Sequence, residues 1–191
     1  MKTIVKLLIL SDFFIFTGLG LISPIIAIFI KENLVGGSIH AAGIASMIFI
    51  FIRSILQPVF AYIAQPKHRL SMLIGGTSLI LLVPIIYFFS SNVIHFYIAS
   101  IIYGIGAAIA YPPWLSYFTR NLTKGAEGFE WSVYYSVEGV GSAIAALIGG
   151  YAVEKIGFYS VFIIVAIMLF FGLLVVLWIG MQNKNHKIKI K

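Results

Sequence analysis

Six apolar runs, each about as long as a lipid bilayer is thick, dominate this chain. They fall at about 7–30, 38–64, 70–90, 93–118, 131–153 and 158–182. Each is near or above the roughly 20 residues that carry a helix across the hydrocarbon core. Short punctuated links separate them: "KENLVGGS", "PKHR", "SSN", "TRNLTKGAEGFE" and "EKIG". The expectation is an all-α membrane protein of six transmembrane helices, one bundle over 1–182 followed by a basic tail over 183–191. Composition agrees, since 61% of residues are hydrophobic and 10% charged, where a soluble domain carries about a quarter charged. The first run is no signal peptide: it is too long, ends in no small-residue cleavage site and precedes five more spans.

The basic residues give the expected orientation. With the N-terminus inside, cytoplasmic segments hold Lys2, Lys6, Lys67, Arg69, Arg120, Lys124, Lys184, Lys187, Lys189 and Lys191, and outside segments hold only Lys31 and Lys155. The positive-inside rule then reads both termini as cytoplasmic, in a cell membrane of the plasma or inner type. The net charge of +7 is orientation signal and anionic-lipid contact, not a nucleic-acid surface. The tail "NHKIKIK" reads as a membrane-edge anchor.

Charges inside spans are costly, at roughly 2.5–3.5 kcal/mol each on insertion scales, and turn toward protein or water. Three stand out: Asp12, Arg53 and Glu138. At 1.5 Å per residue they lie roughly 8, 16 and 11 Å in from the cytoplasmic ends of their spans. All three are within side-chain reach if their helices adjoin. A structural ion-pair cluster and a site for substrate or proton are both open readings. Two carboxylates and one guanidinium sum to −1, so one proton neutralises the group. Glu138, deeper than Asp12, is the favoured proton carrier. The third and sixth spans hold no charge and are expected to face lipid, outside an inner set of spans 1, 2, 4 and 5.

Polar stripes mark the expected cavity. Ser46, Arg53 and Gln57 share one helical face, as do Tyr134, Glu138 and Ser142. Tyr103 and Tyr111 come from the fourth span, where Pro112 and Pro113 are expected to kink or interrupt the helix as a gate. Trp114 and Tyr117 beside them read equally well as an interfacial aromatic belt. Gly141, Ala145 and Gly149 form a small-xxx-small ladder for close helix packing, as do Ser142, Ala146 and Gly150.

Other chemistry is missing from the pattern. With no cysteine there is no disulfide, thiolate metal site or cysteine nucleophile. No phosphate-binding loop occurs, "GLGLIS" lies inside a span, and the histidines lack ligand spacing. Neither an enzyme, a cofactor nor a metal is expected.

Four stretches, "DFFIFTGLGLISPIIAIFI", "RSILQPVFAYIA", "YGIGAAIAYPPWLSYFTR" and "GSAIAALIGGYAVEKIGFYSVF", resemble helices of the major facilitator superfamily, in its drug- or sugar-type carriers. The resemblance implies one half of a twelve-helix carrier, built as a 3+3 helix repeat, with helices 1 and 4 lining the path and 3 and 6 outside. It departs from the family after the second span, where "AYIAQPKHRL" puts Ala61 at a usual glycine, Gln65 at a usual aspartate and His68 at a second glycine; only Arg69 matches. The start methionine and lysine-rich tail read as a complete half-carrier. An even number of spans lets two copies pair about an axis along the membrane normal. The expectation is a secondary transporter, of the efflux kind if the drug-type likeness holds, working as a homodimer or with a second six-helix half. It would move a small molecule by alternating access, with Asp12, Arg53 and Glu138 as coupling cluster and Gln57, Tyr103, Tyr111 and Tyr134 lining the path. The alternative is a membrane interaction or assembly protein that keeps the half-fold without transport.

Overall fold

Proline and glycine decide where the apolar runs break. Pro24 has no N–H to offer the Gly20 carbonyl, and its ring crowds that carbonyl. The first run, expected as one helix, is accordingly two: α1 (Thr3–Ile22) and α2 (Ile26–Asn33), joined by a turn at residues 23–25. Then come α3 (Ile39–Ile63), α4 (Arg69–Phe88), α5 (Val93–Asn121) and α6 (Glu127–Lys184). Ser38 and Asn92 cap α3 and α5 by accepting from the amides of Ala41 and Ile94, each at 2.9 Å, as short polar side chains do at helix starts. This is a computed structural model, and it describes residues 1–184. The basic tail expected over 183–191 therefore lies outside the described residues from 185 onward.

Pro112 and Pro113 do not interrupt their helix, for α5 runs unbroken from Val93 to Asn121. Each proline removes one backbone donor, but intact turns on both sides and close neighbours in α3 and α4 hold the helix together. The reversal that does occur is at Gly157. With φ 78° and ψ 164°, it occupies a region of backbone space essentially reserved for glycine. The 58 residues of α6 would otherwise extend about 87 Å, nearly three times the hydrocarbon thickness. Gly157 divides them into a first arm (127–156) and a second arm (158–184), the fifth and sixth passes.

Side-chain contacts fix the direction of each pass. Asp12, Phe13, Thr17 and Leu21 of α1 meet Tyr134, Gly141 and Gly149 in rising order, so the first arm runs parallel to α1. Ser11, Gly18 and Phe29 meet Gly172, Leu169 and Phe162 in falling order, so the second arm runs back. By the same logic α4 is antiparallel to α5, with Gly76 on Ala110 and Tyr87 on Phe96. α3 is parallel to α5, with Phe49 on Tyr103 and Arg53 on Tyr111. The main pairings are α1 with both arms, α5 with α3 and α4, and α4 with the second arm. Exchanging α1 for α5, α3 for the first arm and α4 for the second arm maps this pattern onto itself with every helix reversed. Two three-helix units of opposite direction therefore build the bundle.

The expected division into inner and outer spans does not follow burial in the single chain. α3 buries only Ala41, Ala42 and Ala45. It exposes Met47, Ile50, Phe51, Ile55, Val59 and Tyr62, while the first arm exposes Tyr135, Val140, Ile144, Leu147 and Tyr151. A charge within a span reports burial of one face, here the face of Arg53 toward α5, and not of the whole helix.

Candidate functional site

Small residues bring α1 and the first arm together, and that approach sets up the site. Gly141, Ala145 and Gly149 form the buried edge of the arm. A Cβ on Gly149 would overlap the Leu21 carbonyl, and Gly20 lies 3.2 Å from Ala145 and Ser142 by the same measure. With the helices this close, Tyr134 Oη donates to Asp12 Oδ2 at 3.2 Å, and Asp12 is 9% exposed. Glu138 is one turn beyond Tyr134 on the same face, half-buried.

Arg53 approaches from the opposite wall. Its guanidinium lies over the Tyr111 ring, 5.3 Å from the centroid, and its Nε donates to Gln57 Oε1 at 3.3 Å. Tyr103, two turns nearer the start of α5, stacks on Phe49 at 4.1 Å. Between the walls is a cavity of about 80 Å³ lined by Asp12, Arg53, Tyr103, Tyr111, Trp114 and Tyr134, with Thr77 of α4 at its back. Leu19 and Tyr103 also line two larger cavities, of about 590 and 470 Å³, toward the far end of α1.

Asp12 and Arg53 thus face one space, but they form no ion pair. Among the described residues the salt bridge found is that of the Met1 amino group with Glu130, at 3.1 Å. Glu138 does not line the shared cavity. The expected three-membered cluster is therefore a facing pair, Asp12 with Tyr134 and Arg53 with Tyr111, and Glu138 stands at the edge.

Four residues of the structure gave little signal in the sequence. Trp114 and Tyr117 are each 4% exposed, so neither belongs to a lipid-facing belt; Trp114 sits in the cavity wall between Tyr111 and Tyr134. Thr77, 3% exposed, comes from a span that offered no charge to notice. Glu130 is 1% exposed and accepts from the Thr123 hydroxyl at 2.7 Å and the Thr123 amide at 3.3 Å, tying the α5–α6 link to the start of the first arm. Arg69, the one match to the family's loop, donates from Nε to the Ala64 carbonyl at 3.3 Å and so closes the end of α3.

Two inverted three-helix units meeting around a small cavity that Asp12 and Arg53 face are what a carrier half provides. The pattern of the Major Facilitator Superfamily matches residues 8–190. The chain belongs to the Major Facilitator Superfamily. It has no match among the curated proteins compared with it. Six membrane passes in 191 residues make it a half-length member of this superfamily, and five of its helices are long and apolar enough to span a bilayer. Major Facilitator Superfamily proteins are multi-pass membrane transporters.

Proposed function

We propose that the chain is a half-carrier, a secondary transporter that moves a small molecule by alternating access and couples the movement to a proton. Its bundle over 1–182 lies in the plasma or inner membrane with both ends cytoplasmic, and the basic tail meets the membrane surface. The observation that carries the reading is the opposition of Asp12 and Arg53 across one cavity. Charged side chains at this depth are expensive, and an acid and a base that face a cavity without pairing leave both groups to a ligand. Asp12, nearly buried and held by one neutral donor, is the better proton carrier, and Glu138, one turn beyond Tyr134, is the second.

The second half comes from another copy, or from a different six-helix half. The long apolar faces of α3 and the first arm support this, because spans 2 and 5 then meet their counterparts. An even number of passes lets two copies pair without inverting either.

Proteoliposomes with a trapped pH-sensitive dye test the reading. A transported compound added outside moves protons with wild-type protein, and this flux is lost in Asp12→Asn and strongly reduced in Glu138→Gln. Intact-complex mass measurement in mild detergent is expected to give two six-helix units. A stable monomer that moves neither proton nor tracer, across small anions, amines and neutral compounds, would remove the carrier and leave an assembly protein with the half-fold.

A further inference from the structure

The cavity shared by Asp12 and Arg53 holds a guanidinium that no carboxylate among the described residues neutralises. Arg53 uses its Nε–H on Gln57, and the rest of its guanidinium has no carboxylate within 4.0 Å among the described residues. Trp114 lines the same cavity, is 4% exposed, and its Nε1–H is buried with no hydrogen-bond partner. An indole N–H can only donate. Leaving such a donor unpaired costs about 1–3 kcal/mol, but this nitrogen is closed to solvent, so Arg53 is the donor the cavity offers.

These groups form a continuous wall. Arg53 lies over Tyr111, Tyr111 is nearly parallel to Trp114 at 6.3 Å, and Trp114 meets Tyr134 at 4.9 Å. Tyr134 in turn donates to Asp12. Asp12 is the one strong acceptor facing the space, and once it carries a proton it becomes a donor too. The wall then presents a guanidinium and a carboxylic acid, a set that matches a group made only of acceptor oxygens. An ammonium ion would meet Arg53 as a like charge. A neutral alcohol would leave the guanidinium charge without a counter-ion.

Volume limits what enters. About 80 Å³ takes a compact head group, while the cavity of about 590 Å³ that shares Leu19 and Tyr103 is walled by residues such as Ile22, Ile26, Phe49, Val83 and Phe96. A ligand reaching both spaces has a small anionic head and an apolar body.

We propose that the cavity binds the carboxylate of a monocarboxylic acid with an apolar body, and that one proton binds with it. The proposal rests on the carrier reading of Asp12 and Arg53 above and adds the substrate class. Charge balance gives the stoichiometry. The titratable or charged groups facing Asp12 are Tyr134 and Glu138 of the first arm, Arg53 of α3, and Tyr103 and Tyr111 of α5. α4 brings Leu73, Thr77 and Ile80 to the cavity, and the second arm meets α1 there through Phe171 and Gly172, none of them titratable. With both carboxylates ionised the group sums to −1. A bound anion would make it −2, and one proton restores −1. Anion and proton therefore favour each other's binding, by the reciprocity of coupled sites.

The test is equilibrium binding to the purified full chain in lipid nanodiscs, using three probes of one shape: benzoate, benzyl alcohol and benzylamine. Calorimetry in buffers of different ionisation enthalpy counts the protons. Wild type is expected to prefer benzoate and to take up about one proton per molecule bound. Asp12→Asn, a mimic of the protonated acid, is expected to bind benzoate with no proton uptake. Arg53→Gln is expected to weaken benzoate about 10-fold or more, the effect of a hydrogen bond between charged groups. Should Arg53→Gln fail to fold, the wild-type ranking and proton count decide alone. Preference for the amine or the alcohol, benzoate binding without proton uptake, or no binding of any probe would overturn the proposal. Binding needs no movement, so a protein that binds benzoate but does not carry it loses the transport reading only. One that carries benzylamine instead keeps transport and loses this proposal.

Discussion

Two neighbouring glycines in the first arm of α6 separate close packing from helix propensity. Gly149 faces α1, where an added Cβ would overlap the Leu21 carbonyl oxygen and lie 2.7 Å from its carbon and 2.8 Å from Leu21 Cα. Gly150, the next residue, has nothing within 4 Å of the same added atom. Both are helical, so alanine at either gains the same propensity, up to about 1 kcal/mol. The difference between Gly149→Ala and Gly150→Ala is then the overpacking term alone. Such terms run about 1–3 kcal/mol, and the upper end applies because the obstacle is backbone, which cannot rotate away. Gly150→Ala is expected at or above wild-type stability, and Gly149→Ala about 2 kcal/mol below it. At roughly 2–4 °C per kcal/mol for chains of this size, the two melt about 6–12 °C apart in detergent, followed by intrinsic fluorescence. Equal melting temperatures, or a more stable Gly149→Ala, would refute the close approach of α1 to the first arm. The placing of Tyr134 on Asp12 would fall with it.

Three further outcomes follow from single residues. Gly157→Ala puts a Cβ at φ 78° and ψ 164°, a strain of about 1–3 kcal/mol. It should melt well below wild type, whereas Gly139→Ala, with open space around its Cβ, should not. Tyr134→Phe removes the one hydroxyl bonded to Asp12, which costs about 1–3 kcal/mol in chemical unfolding; that loss should be much smaller in an Asp12→Leu background, and equal losses would contradict the pairing. Glu130→Ala leaves the Thr123 hydroxyl and amide without their acceptor, so the link at 122–126 should be cut faster in limited proteolysis than in wild type.

Span number was legible in the sequence because hydrophobic length is read directly against bilayer thickness. The prolines were not legible in the same way: the run holding Pro24 was expected as one helix and is two, and Pro112 and Pro113 were expected to kink or interrupt a helix that runs on. Pro24 ends α1 because the turn there lies beside the end of a helix, where a break costs few hydrogen bonds. Pro112 and Pro113 stay inside α5 because twenty-nine residues of helix surround them. The coupling cluster was only half legible, for a physical reason. Counting residues gives depth along a helix axis but not direction around it. Asp12 and Arg53 line one cavity, yet α1 and α3 are not a main packed pair, and each residue finds its contact on a different neighbour. Trp114 was hidden by its position near a span end, where an aromatic residue facing lipid and one facing a cavity give the same sequence signal.

Why a cavity exists at this point also follows from side-chain size. Where α4 crosses α5, Gly76 sits against Gly106 and Ala110; where the second arm crosses α1, Gly172 sits against Ser11 and Ile15. These two crossings correspond under the exchange of three-helix units, and in each a glycine lets the helices close to near contact. The seam between α1 and α5 is built differently. Asp12, Ile15, Phe16 and Leu19 face Tyr103, Tyr111 and Trp114 across it, and such bulk holds the two helices apart while leaving space between their side chains. Tight crossings bind α1 to the second arm and α4 to α5, both of them between spans 1–3 and spans 4–6, so the α1–α5 seam is the loosely packed stretch of the boundary between inverted units. In inverted-repeat carriers that boundary is where ligands bind. On the proposed reading, a proton or a carboxylate arriving between Asp12 and Arg53 acts at that loosely packed seam, while the two glycine crossings hold the units together on either side.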